Sequence, residues 1–257
     1  MNLIDTHAHI FLDEFKEDLD QVVRQSREAG VFKILMPNID SKTLEPMMAV
    51  AEKYKGFCLP MIGLHPTSVD ANYEKEISRL ESALTAYRFY GVGESGTDLY
   101  RDKSFFAEQK ASLQWHIDLS KRLMLPLVLH SRDSMDETIR MIEENSGPDL
   151  KGIFHCFSGT LSQASRIIGM GFLLGIGGVV TFKNSNLAEV LREIDISNLV
   201  LETDSPYLAP APFRGKRNDP SRLDGIVRKL AEIKHIEPEE AAYLTTQNAM
   251  KLFRLEI

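Results

Sequence analysis

Five of the seven histidines in this sequence lie in short motifs that follow runs of apolar residues, and acidic residues accompany them. Imidazole and carboxylate groups suit Zn²⁺ and Mn²⁺, and Mg²⁺ where oxygen ligands dominate. One such histidine alone is more often a hydrogen-bonded core residue, whereas several gathered at one place indicate a metal site. The residues concerned are His7, His9, His65, Glu94, His130, His155 and Asp204.

The first motif shows how spacing supports this interpretation. His7 and His9 are two residues apart, so on an extended strand both side chains leave the same face and can hold one ion. By the same alternation Asp5 shares the face of these histidines, and Glu202 shares the face of Asp204. We expect both acids to lie one layer below and to orient the imidazoles. The alternative for each is a buried acid satisfied by the backbone or by a basic side chain.

A gathering of this kind requires cations. Packing several imidazoles and two carboxylates together without a cation would bury polar groups and charge at several kcal/mol each. Divalent metal ions remove that cost, since they bind the same nitrogen and oxygen atoms. The sequence therefore predicts a metal-dependent centre.

Strands must position these motifs, and short apolar runs alternate with amphipathic stretches along the chain. Such alternation implies parallel strands joined by helices. Eight units in 257 residues predict an α/β fold, a single (β/α)₈ TIM-barrel domain spanning 1–257, with the metal site at the C-terminal strand ends. A doubly wound open sheet is the alternative, but no G-x-G-x-x-G motif follows the first strand. The predicted strands are Leu3–His7, Val31–Met36, Phe57–Gly63, Phe89–Gly93, Leu125–His130, Lys151–His155, Phe172–Gly177 and Leu199–Asp204.

Helical features complete the pattern. Ser134 and Glu137 have the spacing of a capping box, and Leu223–Lys234 and Pro238–Phe253 are predicted to be helices. His116 and His235 fall in helical regions away from the strand ends, so we expect them at the surface or packed between helices.

Composition limits the class of protein. The chain has 30 Lys and Arg against 37 Asp and Glu, a net charge of −7, and 43% hydrophobic residues. These values exclude a disordered or disulfide-scaffold protein and argue against nucleic-acid binding by bulk charge. The two cysteines, Cys58 and Cys156, predict a reducing compartment. With neither a signal-peptide pattern nor a membrane-length apolar run, we expect a cytoplasmic protein that does not bind a membrane.

The motifs as a set resemble the TatD family of metal-dependent hydrolases, in order and across residues 3–253. The matching segments are Asp5-Thr-His7-Ala-His9, Gly63-Leu-His65-Pro66, Gly93-Glu94, Leu127-Val-Leu-His130-Ser-Arg132, His155-Cys-Phe-Ser-Gly159, Leu201-Glu-Thr-Asp204-Ser-Pro-Tyr-Leu208, Pro212-Phe-Arg214-Gly-Lys216-Arg217-Asn218 and Asn248…Leu252-Phe253.

The resemblance implies a TIM-barrel deoxyribonuclease of the amidohydrolase superfamily. The best-studied members of the family trim DNA from the 3′ end and also act on RNA, and others show endonuclease activity. It implies two divalent ions, Mg²⁺, Mn²⁺ or Zn²⁺, with Glu94 bridging them. One ion would be held by His7, His9, Glu94 and Asp204, and the other by Glu94, His130 and His155.

One segment departs from the family pattern. The family writes Gly-Glu-x-Gly-Leu-Asp where this chain has Gly93-Glu94-Ser95-Gly96-Thr97-Asp98. Glu94 is retained, so the bridging role is retained too. Ser95 and Thr97 would make the wall beside Glu94 more polar, which bears on substrate preference.

Roles in phosphodiester hydrolysis follow for several residues. Asp204 is the predicted general base for a metal-activated water. His65 would hydrogen-bond the scissile phosphate or protonate the leaving oxygen, or else is structural. The predicted substrate contacts are Arg132, Arg214, Lys216, Arg217 and Tyr207, with a solvated loop or packing under the loop as the alternative. The nucleic-acid substrate would bind transiently to a monomer or weak oligomer.

Two other functions stay open. The same metal centre suits an amidohydrolase that cleaves C–N bonds or a small phosphoesterase, because a fold does not fix a substrate. A protein that binds metal without catalysis is the other possibility, although the full set of metal-binding residues and the candidate base argue against it.

Overall fold

The computed structural model describes residues 1–256, in which short parallel strands alternate with helices. The strands are β1 (Leu3–Asp5), β2 (Val31–Pro37), β3 (Cys58–Met61), β4 (Val92–Asp98), β5 (Leu127–Arg132), β6 (Gly152–Phe154), β7 (Leu173–Ile176) and β8 (Leu199–Leu201). The helices are α1 (Leu19–Glu28), α2 (Leu44–Lys53), α3 (Tyr73–Ala83), α4 (Phe106–Leu123), α5 (Met135–Asn145), α6 (Leu161–Gly169), α7 (Leu187–Glu193), α8 (Leu223–Lys234) and α9 (Pro238–Phe253). Short 3₁₀ turns lie at Asp13–Phe15, Pro66–Ser68, Gly178–Thr181, Ile196–Asn198 and Pro220–Arg222.

The strands form two parallel ladders, β1-β2-β3 and β4-β5-β6-β7-β8, and backbone hydrogen bonds join the ladders at both seams. At the β3–β4 seam, Gly93 N donates to Ile62 O (2.7 Å). At the β1–β8 seam, Thr6 N donates to Leu201 O (3.0 Å) and Asp204 N to His7 O (2.8 Å). The sheet therefore closes into the predicted (β/α)₈ barrel.

An apolar plug fills the barrel below the motif residues. It brings together one or two side chains from most strands, and α9 contributes Ala249 and Phe253 to it. A larger layer of Leu, Ile, Val and Phe side chains lies between the strands and the outer helices. Parallel strands covered on both sides read as continuous apolar runs, which is why the sequence revealed them. The plug residues from the strands are Ile4, Leu35, Leu59, Met61, Val128, Ile153 and Val200.

The fourth strand is placed differently from the prediction. It runs from Val92 to Asp98 rather than over Phe89–Gly93, and every residue in it is buried. Glycine and hydroxyl residues replace the apolar run that marks the other strands. Gly96 shows the reason: its φ is +144°, and a Cβ there would lie 2.0 Å from the carbonyl oxygen of His130. Close approach to β5 thus requires the composition that concealed the strand.

The predicted capping box at Ser134 is also wrong. Ser134 precedes α5, but its hydroxyl makes no cap and instead donates to Thr97 O (2.8 Å). A capping box does form at α6, where Thr160 accepts from Gln163 N and the Gln163 side chain accepts from Thr160 N. The two terminal helices, α8 and α9, have the predicted bounds.

No helix in residues 1–256 combines the length and the apolar character needed to cross a membrane.

Candidate metal centre

Glu94 lies at the middle of the site, in β4 and only 2% exposed, and its two oxygens face different groups of imidazoles. Oε1 is 2.9 Å from both His130 Nδ1 and His155 Nε2. Oε2 is 3.0 Å from His7 Nε2 and 3.5 Å from His9 Nε2. The strands thus bring together the histidines that the sequence motifs singled out, with this one carboxylate between them.

Asp204 completes the group on the Oε2 side. Its Oδ1 lies 3.8 Å from His7 Nε2 and 3.7 Å from His9 Nε2, while those two nitrogens are 3.2 Å apart. Ligand atoms that each lie about 2.0–2.2 Å from one tetrahedral ion are roughly 3.3–3.6 Å from one another. The spacing among these side-chain atoms therefore suits a single ion.

Outer contacts orient three of the four imidazoles, and within the described residues the His7 ring has none on its Nδ1 side. His9 Nδ1 donates to Pro37 O (3.1 Å), and His130 Nε2 lies 3.1 Å from Asp98 Oδ2. His155 Nδ1 lies 3.3 Å from Glu202 Oε1. A hydrogen on each outer nitrogen leaves the inner nitrogen with a lone pair, which is the form that binds a metal.

The donor set fits divalent cations. In the neutral rings, inner lone pairs on His9, His130 and His155 face the Glu94 carboxylate at distances of 2.9–3.5 Å, an arrangement that a ring proton or a bound cation stabilises. Within residues 1–256, the buried atoms His7 Nδ1, His155 Nδ1 and Glu202 Oε2 also lack a partner with hydrogen-bond geometry. Nitrogen and oxygen ligands at these positions would hold such ions at the C-terminal mouth of the barrel.

Charges in the metal-free centre are strongly coupled. Burial alone would raise the pKa of Glu94, but His155, His7 and His65 hold it well below its usual value. Burial opposes charge on His155 as well, yet Glu94 and Glu202 raise the pKa of its imidazole well above the ordinary range. Burial raises the pKa of Asp204 to about 6 against the attraction of His155 and His9. A proton on His155 thus occupies the electrostatic position that a cation would take.

The two acids expected below the ligands, Glu202 and Asp5, make different contacts. Glu202 is inside the barrel as expected, contacts His155 and accepts from Cys156 N. Asp5 contacts no imidazole, contrary to the expectation. It accepts from His7 N (3.2 Å), Thr203 N (3.0 Å) and the Thr203 hydroxyl (2.5 Å), and burial raises its pKa to about 8. Asp5 holds the backbone across the β1–β8 seam, because β1 ends there and the chain turns.

Asp98 was not singled out as a functional residue from the sequence. It ends β4, and its Oδ2 contacts His130 while its Oδ1 accepts from Tyr100 N (2.9 Å) and Arg101 N (3.1 Å). Burial opposes its charge, but the His130 contact and the Arg101 backbone bond lower its pKa to about 2. Its position at the end of the Gly93–Asp98 motif was the available signal.

His65 also faces the metal centre, but its inner nitrogen carries a hydrogen instead of a lone pair. Its Nδ1 accepts from Thr67 N (3.1 Å), so in the neutral ring the proton is on Nε2, which lies 3.4 Å from Glu94 Oε1. A protonated inner nitrogen donates a hydrogen bond rather than binding a metal. By spacing alone His65 forms a possible ion-binding group with Glu94 and His130, and its contact with Thr67 is what distinguishes it from the predicted ligands.

His116 holds the loop that carries His65. It is fully buried in α4, donates from Nδ1 to Ser112 O (2.7 Å) and accepts at Nε2 from Leu64 N (3.0 Å). The expectation of a surface or helix-packing residue was therefore only half right. The helical period does not show that its ring reaches a strand-end loop.

The polar wall expected beside Glu94 does not form. Thr97 is fully buried, and its hydroxyl contacts Ser134 Oγ (2.8 Å) and Thr138 Oγ1 (2.7 Å) on the α5 side of the sheet. Strand alternation puts Thr97 and Ser95 on the face opposite Glu94. The departure from the family pattern thus changes packing under α5.

Comparison with known proteins identifies the family. The model described as "TatD related DNase" matches residues 4–254. The chain belongs to this TatD family. YabD of Bacillus subtilis (strain 168), described as an uncharacterized metal-dependent hydrolase, is 35% identical over 254 residues, 98% of this chain and 99% of YabD.

Solved structures agree with the TatD assignment. The crystal structure of YjjV, a TatD homologue from Escherichia coli K12, superimposes with a TM-score of 0.93 at 30% identity, covering 99% of this chain and 98% of YjjV. A TatD family hydrolase from Entamoeba histolytica has a TM-score of 0.83 at 22% identity over 98% of each chain, which supports the fold alone. This TatD-family chain is a metal-dependent hydrolase and therefore an enzyme.

The predicted substrate contacts of this TatD-family site lie in different surroundings. The guanidinium of Arg217 is already paired: it forms an ion pair with Asp18 (2.6 Å) and donates a hydrogen bond to Glu14 O. The other four are exposed to solvent to different degrees at the loops of the C-terminal face. The guanidinium carbon of Arg132 lies 3.7 Å from the ring centroid of Tyr100, and that of Arg214 lies 3.8 Å from the ring centroid of Phe182. The ring centroids of Tyr207 and His9 are 6.2 Å apart. Lys216 is exposed.

Proposed function

We propose that this TatD-family hydrolase is a deoxyribonuclease that cleaves phosphodiester bonds from the 3′ end of single-stranded DNA and also acts on RNA. The observation that carries the proposal is Glu94, whose two oxygens face two separate sets of imidazoles. A carboxylate shared in this way is a feature of two-ion phosphodiester hydrolases. The "TatD related DNase" description of the family supports the nucleic-acid substrate.

His7, His9, Glu94 and Asp204 would hold one ion, and Glu94, His130 and His155 the other. When bound, divalent ions of the Mg²⁺, Mn²⁺ or Zn²⁺ type supply an activated water and offset charge on the phosphate oxygens. Glu202 and Asp98 keep the proton on the outer nitrogens of His155 and His130, so that the inner nitrogens stay free.

Asp204 takes the proton from the attacking water, since its carboxylate borders the site and is not committed to a backbone donor. His65 presents Nε2–H toward Glu94 and donates it to the scissile phosphate or to the leaving oxygen. Arg132, Arg214 and Lys216 attract phosphates without reading bases. We also propose a cytoplasmic, single-domain protein that is a monomer or weak oligomer and binds its substrate transiently.

The test is cleavage of a 3′-labelled and a 5′-labelled single-stranded oligonucleotide in the presence of Mg²⁺, Mn²⁺ or Zn²⁺. We expect stepwise loss from the 3′ end, abolished by Glu94→Gln and by Asp204→Ala. The matched control is Glu240→Gln, an exposed glutamate in the first turn of α9 at the opposite end of the barrel, which should cleave normally.

Absence of cleavage with every ion, alongside turnover of a cyclic amide, would replace the nuclease with an amidohydrolase. Cleavage that persists equally in Glu94→Gln and Asp204→Ala would reveal a contaminating nuclease and favour a protein that binds metal without catalysis.

A further inference from the structure

Tyr100 is an exposed aromatic residue tied to the metal centre. It lies in the loop after β4 and is 60% exposed. Its backbone nitrogen donates to Asp98 Oδ1 (2.9 Å), and Oδ2 of the same carboxylate contacts His130 Nε2 (3.1 Å). One carboxylate therefore fixes both the ring-bearing loop and an imidazole that faces Glu94. An aromatic side chain held in this way lies beside the site rather than on a remote surface.

Arg132 covers one face of this ring. It ends β5, two residues after His130, and its guanidinium carbon lies 3.7 Å from the ring centroid of Tyr100. Within residues 1–256 its guanidinium makes no ion pair with a carboxylate. Stacking on a ring leaves the N–H edges of a guanidinium free for a phosphate.

Among the other arginines that follow β4 and β8 in the described chain, Arg101 and Arg214 make no ion pair, whereas two are paired with carboxylates. Arg217 pairs with Asp18, and Arg222 pairs with Asp219 at 3.3 Å. Since one face of Tyr100 is covered by Arg132, its high exposure belongs to the other face and the edge. This pair thus offers an open aromatic face and an uncompensated cation side by side.

Exposed apolar side chains are concentrated at this end of the barrel. Large hydrophobic residues that remain exposed usually mark a binding surface when they are grouped. In the described part of the chain, four of the seven such residues lie in the segments that follow β4 or β8, the strands that carry Glu94 and lead to Asp204. They are Tyr100, Tyr207, Leu208 and Phe213.

We propose that Tyr100 and Arg132 form a nucleotide subsite on the His130 side of the centre, in which a base stacks on the open face of Tyr100 and its phosphate contacts Arg132. This subsite rests on the proposed nuclease function. Stacking accepts any base, because every base has a π-face, so the subsite binds unpaired nucleotides with little sequence preference. A base inside a duplex has both faces covered and is excluded.

The test compares an intact single-stranded oligonucleotide with one that carries abasic residues at its 3′ end. For the intact substrate, Tyr100→Ala should raise KM about ten-fold, the effect expected of one lost stacking contact, with a smaller change in kcat. For the abasic substrate the same substitution should leave KM unchanged. Tyr100→Trp should restore the intact-substrate KM. Arg132→Ala should raise KM for both substrates, because both retain their phosphates.

Tyr243→Ala is the matched control, since Tyr243 is 62% exposed on α9 and away from the strand ends. Fluorescence anisotropy of the two labelled oligonucleotides in a chelator gives a readout that is independent of turnover. There we expect Tyr100→Ala to remove the affinity difference between them.

Failures of the two proposals are distinguishable. If the wild type cleaves the intact oligonucleotide but Tyr100→Ala behaves like Tyr243→Ala, the subsite is wrong and the nuclease proposal stands. If Tyr100→Ala affects intact and abasic substrates equally, the ring contributes loop structure rather than stacking. A wild type that cleaves no oligonucleotide with any ion overturns both proposals.

Discussion

Asp98 Oδ2 lies 3.1 Å from His130 Nε2, so the carboxylate at the end of β4 sets the orientation of an imidazole on the neighbouring strand. The inner nitrogen of that imidazole then faces Glu94 Oε1 at 2.9 Å. A carboxylate that holds a metal ligand from outside fixes the orientation of that ligand and contributes to metal affinity.

Replacing Asp98 by Asn should therefore weaken metal binding without unfolding the chain. We expect a loss of affinity of about 10- to 100-fold, measured by competition with a chromogenic chelator. Asp102→Asn, in the same loop but exposed, is the control and should bind as the wild type does. Equal affinities for the two variants would show that His130 keeps its orientation without Asp98.

The two sides of Glu94 should bind ions separately. Isothermal titration calorimetry of the metal-free wild type should give two ions per chain. Under the proposed ligand sets, His7→Ala removes a ligand from the Oε2 side and His155→Ala removes one from the Oε1 side, so each variant should retain one ion. A single ion in the wild type would contradict the bridging role of Glu94.

Ion binding should also stabilise the fold. Because the ligands come from separate strands, the unfolded chain has no comparable site, and saturation at 1,000 times Kd should add about 4 kcal/mol to the free energy of unfolding. Thermal unfolding with and without chelator measures this difference. Glu94→Gln, which weakens both sides, should lose most of it, whereas Glu240→Gln should keep it.

His116 should make stability depend on pH between about 6.5 and 4. Burial lowers the pKa of this imidazole from 6.5 to about 4, with the Ser112 bond opposing the shift. Below pH 6.5 the unfolded chain takes up a proton that the folded chain refuses, so the free energy of unfolding falls as the pH falls. Between pH 7 and pH 5 this contribution amounts to about 2 kcal/mol.

His116→Gln keeps an acceptor near Leu64 N but does not titrate. Urea unfolding at pH 7 and pH 5 should show a smaller pH-dependent loss for this variant than for the wild type. Identical losses would mean that other groups produce the whole effect.

Gly96 should tolerate no side chain. A Cβ at this position would lie 2.0 Å from His130 O, on a backbone with φ of +144°. We expect Gly96→Ala to lower the free energy of unfolding by about 3 kcal/mol and to disturb the His130 strand. Gly225→Ala in α8, where a Cβ meets nothing within 4 Å, should instead raise stability by about 0.5–1 kcal/mol. Chemical denaturation of both variants measures the contrast.

The barrel and the gathering of the motif residues were predictable because both depend on short-range patterns. Buried parallel strands read as apolar runs, and residues directly after them share one rim. The bounds of β4 were not predicted correctly, because Gly93 and Gly96 allow close contact between strands and have no apolar side chains to mark a strand. Glu94 was nevertheless expected at the centre of the histidines, where it lies, because that expectation depended on the motif rather than on the strand boundary.

Roles that depend on contacts distant in sequence were not predictable. His116 reaches Leu64 across 52 positions, and nothing in its helix distinguishes it from a packing residue. The pairing of Arg217 with Asp18 spans 199 positions and likewise left no local pattern. Thr97 was misjudged for a related reason: its face of the strand depends on where β4 begins.

The seam between β1 and β8 has a consequence for the timing of activity during synthesis. His7 and Asp204 belong to the same group of ligands, yet one leaves the ribosome among the first residues and the other only after four fifths of the chain. Until β8 has docked beside β1, that group lacks Asp204, the proposed general base. We therefore expect a truncated or half-translated chain to be inactive, and hydrolytic activity to arise only once the barrel has closed.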